Sequence, residues 1–582
     1  MVFNCIFRLP NITFGLLERS LPLLGFITKH RRKIHHQALL GSNQSFTNNF
    51  LLTHHFSAHP ARSHCTMHNH STTVSRSFDV DTRSIFLNAI ESVLPRQMLQ
   101  TVLRYSWEKS TLVADDREYC LDNNVYVVGF GKAVCGMARV VEDIIGEHIN
   151  TGIISIPHGA VDALHRADKL DMLLKTGSKI KIYEGARNNL PDTDSVKAAQ
   201  EIHSLVSSLK KTDIVIVLIS GGGSSLLPMP CDPITLTDIM QLTSLMSRGG
   251  ATIHELNVVR RNTEVLKGGG LAQAAHPTQI ISLIVSDAIG NSLDDIASGP
   301  TVPNCSHPSQ CFEIFNRLGI MEEVPQRVVT HLRKQIKTQN AASRDPKEIL
   351  SSGWKWVHNI LVGSNVIATS AATKKSEALR YTTYTLSNSM DGEAKEVAAM
   401  FAKLACFISL LVRRASQECM AQLRGLELDL VQAGIKKTTI NEIVNITEKA
   451  KNSSKPVCII SGGETIVHVR GSGIGGRSQE MVLAAAIHLD ELFADYIDMR
   501  NHNVSFFSGG TDGQDGMTDA AGAIVNAHFV AQTKTENLSL KAYLDNNDSY
   551  SVFSKVQNGI HLVKTGLTGT NVMDIQILMV DI

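Results

Sequence analysis

Six short apolar runs of this chain end in glycine, serine or an acidic residue, and this repeated pattern constrains the fold more than any other feature. Each run has the length of a buried strand, and stretches with helical periodicity separate the runs. Such alternation is typical of an α/β protein with a largely parallel sheet. The runs end at Gly129-Phe130-Gly131-Lys132, Ser220-Gly221-Gly222-Gly223-Ser224-Ser225, Ser286-Asp287, Gly363-Ser364-Asn365, Ser461-Gly462-Gly463-Glu464 and Ser508-Gly509-Gly510-Thr511-Asp512.

The ends of these runs predict a ligand site. In an open parallel sheet, ligands bind beyond the carboxyl ends of the strands, where backbone N–H groups and helix N-termini point toward them. A single Gly-Gly pair is explained equally well as a turn of the chain. Six such ends in one chain favour loops that converge on a ligand, although the pattern does not identify that ligand.

The length and the charge of the chain narrow the classes of function. At 582 residues the chain should divide into two or three domains with a cleft between them. Its 56 basic residues nearly balance its 55 acidic ones, and this balance argues against a nucleic-acid partner. The apolar stretches are far shorter than the roughly 20 residues of a membrane-spanning helix, so no membrane partner is predicted.

Residues 1–78 differ in composition from the rest of the chain. They contain eight basic residues but only one acidic residue, Glu18, and they are rich in serine, threonine, asparagine and histidine. This composition resembles a mitochondrial transit peptide and predicts a mitochondrial protein. The alternative is a disordered extension, or translation that starts at Met67, which would leave the protein in the cytoplasm.

We expect two α/β domains, each with a largely parallel, Rossmann-like sheet flanked by helices, and an active-site cleft between them. The first domain is predicted over residues 79–345 and the second over residues 355–582. The chain near residues 335–355 is polar and has no periodic pattern, which is typical of a boundary. Residues 406–455 have helical periodicity and many charges, and we interpret them as an insertion that covers one face.

The loop after the first run places a lysine at a glycine turn. Gly129 and Gly131 precede Lys132, and a helical stretch follows. A lysine there can reach an anionic phosphate or carboxylate held at the helix N-terminus. The loop matches neither a Walker A sequence nor a complete GxGxxG, because Val134 occupies the last glycine position. A solvated surface lysine is the alternative.

Residues 471–476 do satisfy GxGxxG, with a predicted strand before them and a helix after them. A dinucleotide fingerprint requires an acid about 20 residues later at the end of the next strand. The acids at that distance, Asp490 and Glu491, fall at a predicted helix end instead. A phosphate cradle that contains Gly475 and Gly476, with Arg477 as a charge clamp, therefore fits better.

Carboxylates cluster in two of the predicted loops, around Asp287 and around Asp512. Magnesium ions in kinase sites are commonly held by one or two carboxylates together with substrate phosphates, and an aspartate can accept the proton of an attacking hydroxyl. One cluster can serve the metal and the other the base, but the residues do not decide which. Aspartate as a turn former or helix cap is the alternative.

Several of these segments, in this order, resemble class II glycerate kinases. The likeness covers most of residues 83–580. In the first half it is carried by Val127-Val128-Gly129-Phe130-Gly131-Lys132-Ala133, Ser220 to Ser225, Ile253-His254-Glu255-Leu256-Asn257 and Asp295-Ile296-Ala297-Ser298-Gly299-Pro300-Thr301. In the second half, which resembles the domain known as MOFRL, it is carried by Ser461 to Thr465, Gly475 to Glu480, Thr511-Asp512-Gly513, Thr518 to Gly522 and Thr568-Gly569-Thr570-Asn571-Val572.

The resemblance implies ATP-dependent phosphorylation of D-glycerate with a divalent cation, Mg²⁺, and a 2-phosphoglycerate product in serine and fructose breakdown. By the matching positions, Lys132, Arg477 and Asp512 are implied in charge stabilisation and in metal or substrate binding. We add Asp287 as a catalytic candidate, and Asp287 and Asp512 as metal ligands. The predicted nucleotide-binding residues are Gly129, Gly131, Ser220, Gly221, Gly222, Gly223, Ser224, Gly462, Gly463, Glu464, Gly475 and Gly476.

Two other classes of function stay open at this stage. A hydroxy-acid dehydrogenase would bind NAD at residues 471–476, and a non-catalytic nucleotide-binding protein would use the same glycine loops. The sequence is compatible with a homodimer but leaves the oligomeric state open. Ser478 and Gly270 depart from the residues expected in the family, and these departures put fine substrate specificity in doubt.

Overall fold

The computed structural model describes residues 77–342, 354–413, 417–495 and 503–582. The predicted transit-like segment therefore lies outside the described residues, apart from its last two positions. Most of the predicted boundary near residues 335–355 lies outside them as well. Ser77–Ile582 belongs to one compact unit.

The described strands, numbered along the chain, are β1 Leu103–Ser106, β2 Thr111–Ala114, β3 Arg117–Cys120, β4 Val125–Phe130, β5 Ile149–Pro157, β6 Ile180–Gly185, β7 Ile214–Ile219, β8 Gln279–Val285, β9 Val357–Gly363, β10 Thr382–Met390, β11 Val457–Gly463, β12 Val504–Gly510, β13 Gly522–Asn526, β14 Leu562–Val563 and β15 Asp574–Val580. The described helices are α1 Phe78–Ser92, α2 Pro95–Val102, α3 Val134–Ile145, α4 Ala160–Arg166, α5 Thr193–Ser207, α6 Gly223–Leu226, α7 Leu236–Arg248, α8 Ile253–Thr263, α9 Gly270–Ala275, α10 Ser309–Arg317, α11 Gln326–Ala342, α12 Asn365–Ala378, α13 Ala394–Arg413, α14 Gln417–Gln432, α15 Lys437–Ser453, α16 Arg477–Asp495, α17 Phe529–Thr535, α18 Leu540–Asp545 and α19 Ser549–Lys555.

The first large sheet has the strand order β6-β5-β4-β7-β8-β9, and all its pairings are parallel. Every residue of β7 is buried, as expected for a central strand with helices on both faces. From β4 the chain builds the sheet outward through β5 and β6, and from β7 it builds in the other direction. The sheet therefore has a topological switch point between β4 and β7, which is where ligands bind in such folds.

The second large sheet has the order β10-β11-β15-β12-β13-β14 and is mixed. The pair β10–β11 is parallel, whereas β15 runs antiparallel to both β11 and β12. The α/β fold class is confirmed, but the expectation of a largely parallel second sheet is wrong in this respect. The register sets Asp574, the first residue of β15, opposite both Gly463 and Gly510. Asp574 thus lies between the carboxyl ends of β11 and β12.

The division of the chain between the sheets differs from the sequence prediction at two places. Strand β9 pairs with β8 in the first sheet, although it was predicted in the second domain. Helix α1, predicted in the first domain, packs on the second sheet, where the rings of Phe86 and Phe507 lie 4.6 Å apart. Both elements were assigned to a domain by their position along the chain. Contacts with distant segments place each of them on the other sheet instead.

The region predicted as a helical insertion is helical where it is described, in α13, α14 and α15. Helix α13 begins earlier than predicted, at Ala394, and its Phe401 ring lies 4.9 Å from that of Phe506 in β12. These helices thus cover one face of the second sheet. Among the described helices, none has both the length and the apolar composition needed to cross a membrane.

Candidate active site

The loops after β4 and β7 meet at the switch point of the first sheet. The N–H of Lys132 donates to the carbonyl of Gly221 at 2.9 Å, and the N–H of Ala133 donates to Ser220 Oγ at 3.0 Å. Gly131 has a φ of +142°, and a side chain there would overlap the Ser220 hydroxyl. Glycine at 131 is therefore required both by the backbone and by the close approach of the two loops.

Asp287, which follows β8, lies directly against the loop after β7. A side chain at Gly221 would overlap the Asp287 carboxylate. A Cβ at Gly222 would lie 3.5 Å from Lys132 Cγ, so the lysine side chain passes over this glycine. Within the described residues, the N–H groups of Gly221 and Gly222 donate no hydrogen bond. Two backbone donors, one ammonium and one carboxylate therefore lie side by side.

Ser224, at the far end of the same loop, is held by its neighbours. Its Oγ lies 3.0 Å from the Ser298 hydroxyl, and its carbonyl accepts a hydrogen bond from Lys267 Nζ at 2.8 Å. Only 2% of Lys267 is exposed, and burial lowers the pKa of its ammonium to about 8. Ser298 in turn donates to Asn257 Oδ1 at 2.9 Å. This network fixes the shape of the loop.

In the second sheet, Arg477 lies in an ion cluster at the carboxyl ends of β11 and β12. Its Nε and Nη2 donate to the two oxygens of Asp574 at 2.6 and 2.8 Å, and its Nη1 lies 3.1 Å from Glu464 Oε1. The bidentate geometry is the strong form of such a pair. Although burial opposes it, the two acids hold the pKa of Arg477 well above its usual value.

Asp574 was not among the predicted site residues. It is 1% exposed and lies two residues after the segment of residues 568–572 that carries the family resemblance. Its position next to that segment is a signal that the sequence offered. Its partnership with Arg477 depends on the antiparallel insertion of β15, and the strand pattern alone did not show that insertion.

Asp512 links the two halves of the site. Burial raises the pKa of its carboxyl, and the nearby charges of Lys132 and Arg477 oppose that rise. Lys132 comes from the first sheet and Arg477 from the second, so the Asp512 carboxylate lies within electrostatic reach of both. Glu464 behaves similarly: burial raises the pKa of its carboxyl to about 7, Arg477 lowers it, and Asp287 from the first sheet raises it further.

The loop after β9 completes the junction between the sheets. The N–H of Ser286 donates to the carbonyl of Gly363 at 2.9 Å. Two residues later, Asn365 Nδ2 donates to the carbonyls of Val572 and Asp574 at 2.9 and 3.0 Å. A side chain at Gly462 would overlap the Asn365 amide. The six strand ends singled out in the sequence are therefore brought together in one region.

Several of the predicted glycines face protein atoms instead of open space. Gly129 lies inside β4, where a Cβ would be 2.6 Å from Val134. Gly223 approaches Ala297, and Gly463, with a φ of +142°, lies against the backbone of Met390. These glycines permit close packing around the loops, and the free amides of Gly221 and Gly222 are better placed for a ligand.

Residues 471–476 are held by a neighbouring segment of the chain. Asn547 Oδ1 accepts from the N–H groups of Arg470 and Gly471, and Asp548 Oδ1 accepts from that of Ile474 at 3.0 Å. A side chain at Gly475 would overlap the Ser549 hydroxyl. Much of the backbone that a pyrophosphate would need is thus occupied, and residues 465–469 form only an isolated bridge instead of the predicted strand. The NAD-binding alternative has no support here.

The N-terminus of α16 is capped by a buried acid. Asp515, 3% exposed, accepts hydrogen bonds from the N–H groups of Ser478 and Gln479 at 3.1 and 2.8 Å. Burial raises the pKa of Asp515 to about 6, while Arg477 and these N–H groups lower it. Gly476 packs against this carboxylate, since a side chain there would overlap it. Among the residues around α16, the Arg477 guanidinium is thus the group offered to an anion.

Comparisons with known proteins identify relatives of the chain. A family model described as a domain of unknown function (DUF4147) matches residues 81–333, and the MOFRL family model matches residues 457–574. A Rattus norvegicus protein named glycerate kinase is 42% identical over 502 residues, which are 85% of this chain and 92% of that protein. A Pyrococcus horikoshii protein named glycerate 2-kinase is 31% identical, over 84% of this chain and 95% of that protein.

A solved structure also resembles the chain over most of its length. The crystal structure of a glycerate kinase from Thermotoga maritima is 28% identical and has a TM-score of 0.65, over 86% of this chain and 99% of that one. Apart from the loop after β9, the two family models cover the strand-end loops of both sheets, and the relatives are matched nearly in full. The chain therefore belongs to the class II glycerate kinase family.

Proposed function

We propose that this protein is a glycerate kinase that transfers the terminal phosphoryl group of ATP to a hydroxyl of D-glycerate. One observation carries the proposal: the Gly221 and Gly222 amides, the Lys132 side chain and the Asp287 carboxylate lie together where the loops after β4, β7 and β8 meet, at the switch point of the first sheet. The names of the relatives support the choice of substrate, because the matched proteins are called glycerate kinases over nearly their whole length.

The phosphates of ATP would bind to the loops after β4 and β7. The free N–H groups of Gly221 and Gly222 suit phosphate oxygens, and the Lys132 ammonium next to them supplies a positive charge. Phosphoryl transfer depends mainly on positioning the reactants and on stabilising negative charge. At the first sheet, the two N–H groups and the Lys132 ammonium would do both.

The donor set around these loops fits Mg²⁺. Five acids, namely Asp287, Glu464, Asp512, Asp515 and Asp574, surround two cations. A polyanionic nucleotide would meet net negative charge here, and a divalent cation bound with it would offset that charge. Of these acids, Glu464 and Asp574 are paired with Arg477, and Asp515 accepts hydrogen bonds from N–H groups. Asp287 and Asp512 therefore remain as candidate ligands, and we assign Asp287 to the metal.

An aspartate of the same loops would orient the attacking hydroxyl and accept its proton. Asp512 suits this role because burial raises the pKa of its carboxyl, so that it holds a proton more readily than an exposed aspartate does. Asp574 and Glu464 hold the Arg477 guanidinium in one orientation. Its positive charge would stabilise the negative charge of the transferred phosphoryl group.

The test is to incubate the full chain with ATP, Mg²⁺ and D-glycerate and to identify the product by ³¹P NMR. We expect 2-phosphoglycerate, a choice that the name of the Pyrococcus horikoshii relative supports. A reaction at the 3-hydroxyl would correct the position, and no phosphorylated product would refute the proposal. Glycerate with NAD and without ATP should give no change in nicotinamide absorbance.

We also propose that residues 1–78 direct the protein to mitochondria, on the basis of their basic composition. A fluorescent protein fused behind residues 1–78 should enter mitochondria. A chain that starts at Met67 should stay in the cytoplasm. Cytoplasmic fluorescence from the full segment would exclude this role.

A further inference from the structure

A second cluster of ligand-type side chains lies outside the candidate active site. The turn between β2 and β3 carries Asp115 and Asp116, and it approaches His358 near the start of β9. One ligand atom from each of these three residues lies within 4.8 Å of the other two. The cluster joins the small three-stranded sheet, β1-β2-β3, to the outermost strand of the first large sheet.

The histidine of this cluster is buried and held in one orientation. His358 is 8% exposed, and its Nδ1 lies 3.1 Å from the Tyr119 hydroxyl. Its Nε2 lies 3.6 Å from Asp116 Oδ1 and makes no hydrogen bond within the described residues. In the tautomer that donates the Nδ1 proton to Tyr119, the lone pair of Nε2 faces the two carboxylates. Metal-binding histidines are typically oriented in this way by a partner on the other ring nitrogen.

Asp116 also faces a positive charge, that of Arg117. The competing ion pair is weak, because Arg117 Nε and Asp116 Oδ1 are 3.9 Å apart and both side chains are well exposed.

We propose that Asp115, Asp116 and His358 bind one divalent transition-metal ion of the Zn²⁺ type, which fastens the β2–β3 turn to the first sheet. One imidazole nitrogen with two carboxylate oxygens is a donor set for Zn²⁺, whereas Mg²⁺ prefers oxygen alone. Bonds of about 2.1 Å place tetrahedral ligands roughly 3.4 Å apart, whereas the ligand atoms here lie within 4.8 Å of one another, so they must approach by up to about 1.4 Å. Both aspartates are exposed, which leaves them free to make this movement.

The proposal is tested by zinc titration of the full-length protein, with excess Mg²⁺ present to occupy the candidate active site. Isothermal calorimetry and thermal unfolding are compared for the wild type, the double variant Asp115→Asn/Asp116→Asn, and a control. The control is Asp162→Asn/Asp171→Asn, which removes two exposed acids far from the cluster in sequence. Sites formed by other histidines and cysteines are common to all three proteins, so the differences between them isolate the cluster.

We expect the wild type and the control to bind one zinc ion more than the double variant and to gain about 3–5 °C in Tm with zinc. The variant should keep its turnover of glycerate, since the cluster lies outside the proposed catalytic residues. His358→Gln should also lose the extra ion. Equal zinc binding and equal Tm shifts in the wild type and the double variant would overturn the proposal.

Discussion

The two sheets contribute to the candidate active site in different ways. The first sheet offers mainly backbone: the loops around Gly131 and Gly221 hold each other through main-chain contacts, and Lys132 extends over them. The second sheet offers charge, because Arg477 and Asp574 form a bidentate pair at the ends of its strands. The difference suggests that the first half recognises phosphates by shape, while the second half holds fixed charges.

The topology of each sheet explains this difference. A parallel sheet with a switch point brings two glycine loops together beyond its strand ends. In the second sheet, β15 runs antiparallel between β11 and β12, so its first residue joins their last residues. Asp574 therefore lies at the start of its strand, whereas the ends of β11 and β12 supply the residues next to it. Changes in the second half should affect folding as well as activity, whereas changes in the first half should affect activity alone.

The largest effect is expected for Arg477→Met. The substitution leaves Asp574, which is 1% exposed, without its cationic partner, and breaking such a buried pair costs roughly 3–5 kcal/mol. Turnover should fall by about 10³-fold or more, since the fixed charge near the phosphoryl group is lost as well. Urea unfolding and steady-state kinetics measure the two effects. The double variant Arg477→Met/Asp574→Asn should recover most of the stability but none of the turnover.

Lys132→Ala should separate activity from stability. The Lys132 side chain lies over Gly222 and is only half-buried, so its removal leaves no buried charge unpaired. We expect a loss of about 10²–10³-fold in kcat with an unchanged Tm. Lys211→Ala, a change of an exposed lysine, serves as the control and should leave both values unchanged. If Lys132→Ala lowered Tm as much as Arg477→Met does, the two halves would not differ in their contribution to stability.

Much of the first sheet could be predicted from the sequence. Buried parallel strands are continuous apolar runs, and their ends were marked by glycine, serine and acid, so β4, β7 and β8 were found together with Lys132 and Asp287. These signals are local, because each depends on a few neighbouring residues. The α/β class, the family and the meeting of the loops followed from them.

The second half was harder to predict because its features depend on distant segments. The pattern of β15 does not reveal that it lies between β11 and β12, so Asp574 was missed. The glycines of residues 471–476 matched a nucleotide motif, yet the amides of Gly471 and Ile474 in this segment are held by Asn547 and Asp548. Pairings between residues more than 60 positions apart decide both points, and one sequence contains no direct record of them.

Gly221→Ala should give a smaller effect, confined to the first half. The added methyl group would overlap the Asp287 carboxylate and displace it from the loop. We expect kcat/KM to fall about 10–100-fold with a nearly unchanged Tm, because a displacement of about 1 Å costs that much in positioning. Gly425→Ala is the matched control, since a methyl group there meets no atom within 4 Å. Normal kinetics in Gly221→Ala would show that activity does not depend on the position of the Asp287 carboxylate.

The smallest effect is a pH dependence that originates in the second half. Burial raises the pKa of Glu464 from 4.5 to about 7, so between these values the folded protein holds more protons than the unfolded chain. The free energy of unfolding should therefore decrease as the pH rises from about 4.5 to 7, and level off above that range. In Glu464→Gln this contribution is absent, so the variant should gain stability relative to the wild type over the same range. Urea unfolding without Mg²⁺ at pH 5, 6, 7 and 8 measures the difference, and Glu322→Gln, a change of an exposed acid, is the control. A difference between the wild type and Glu464→Gln that stays constant with pH would mean that Glu464 is ionised throughout, and that Arg477 outweighs its burial.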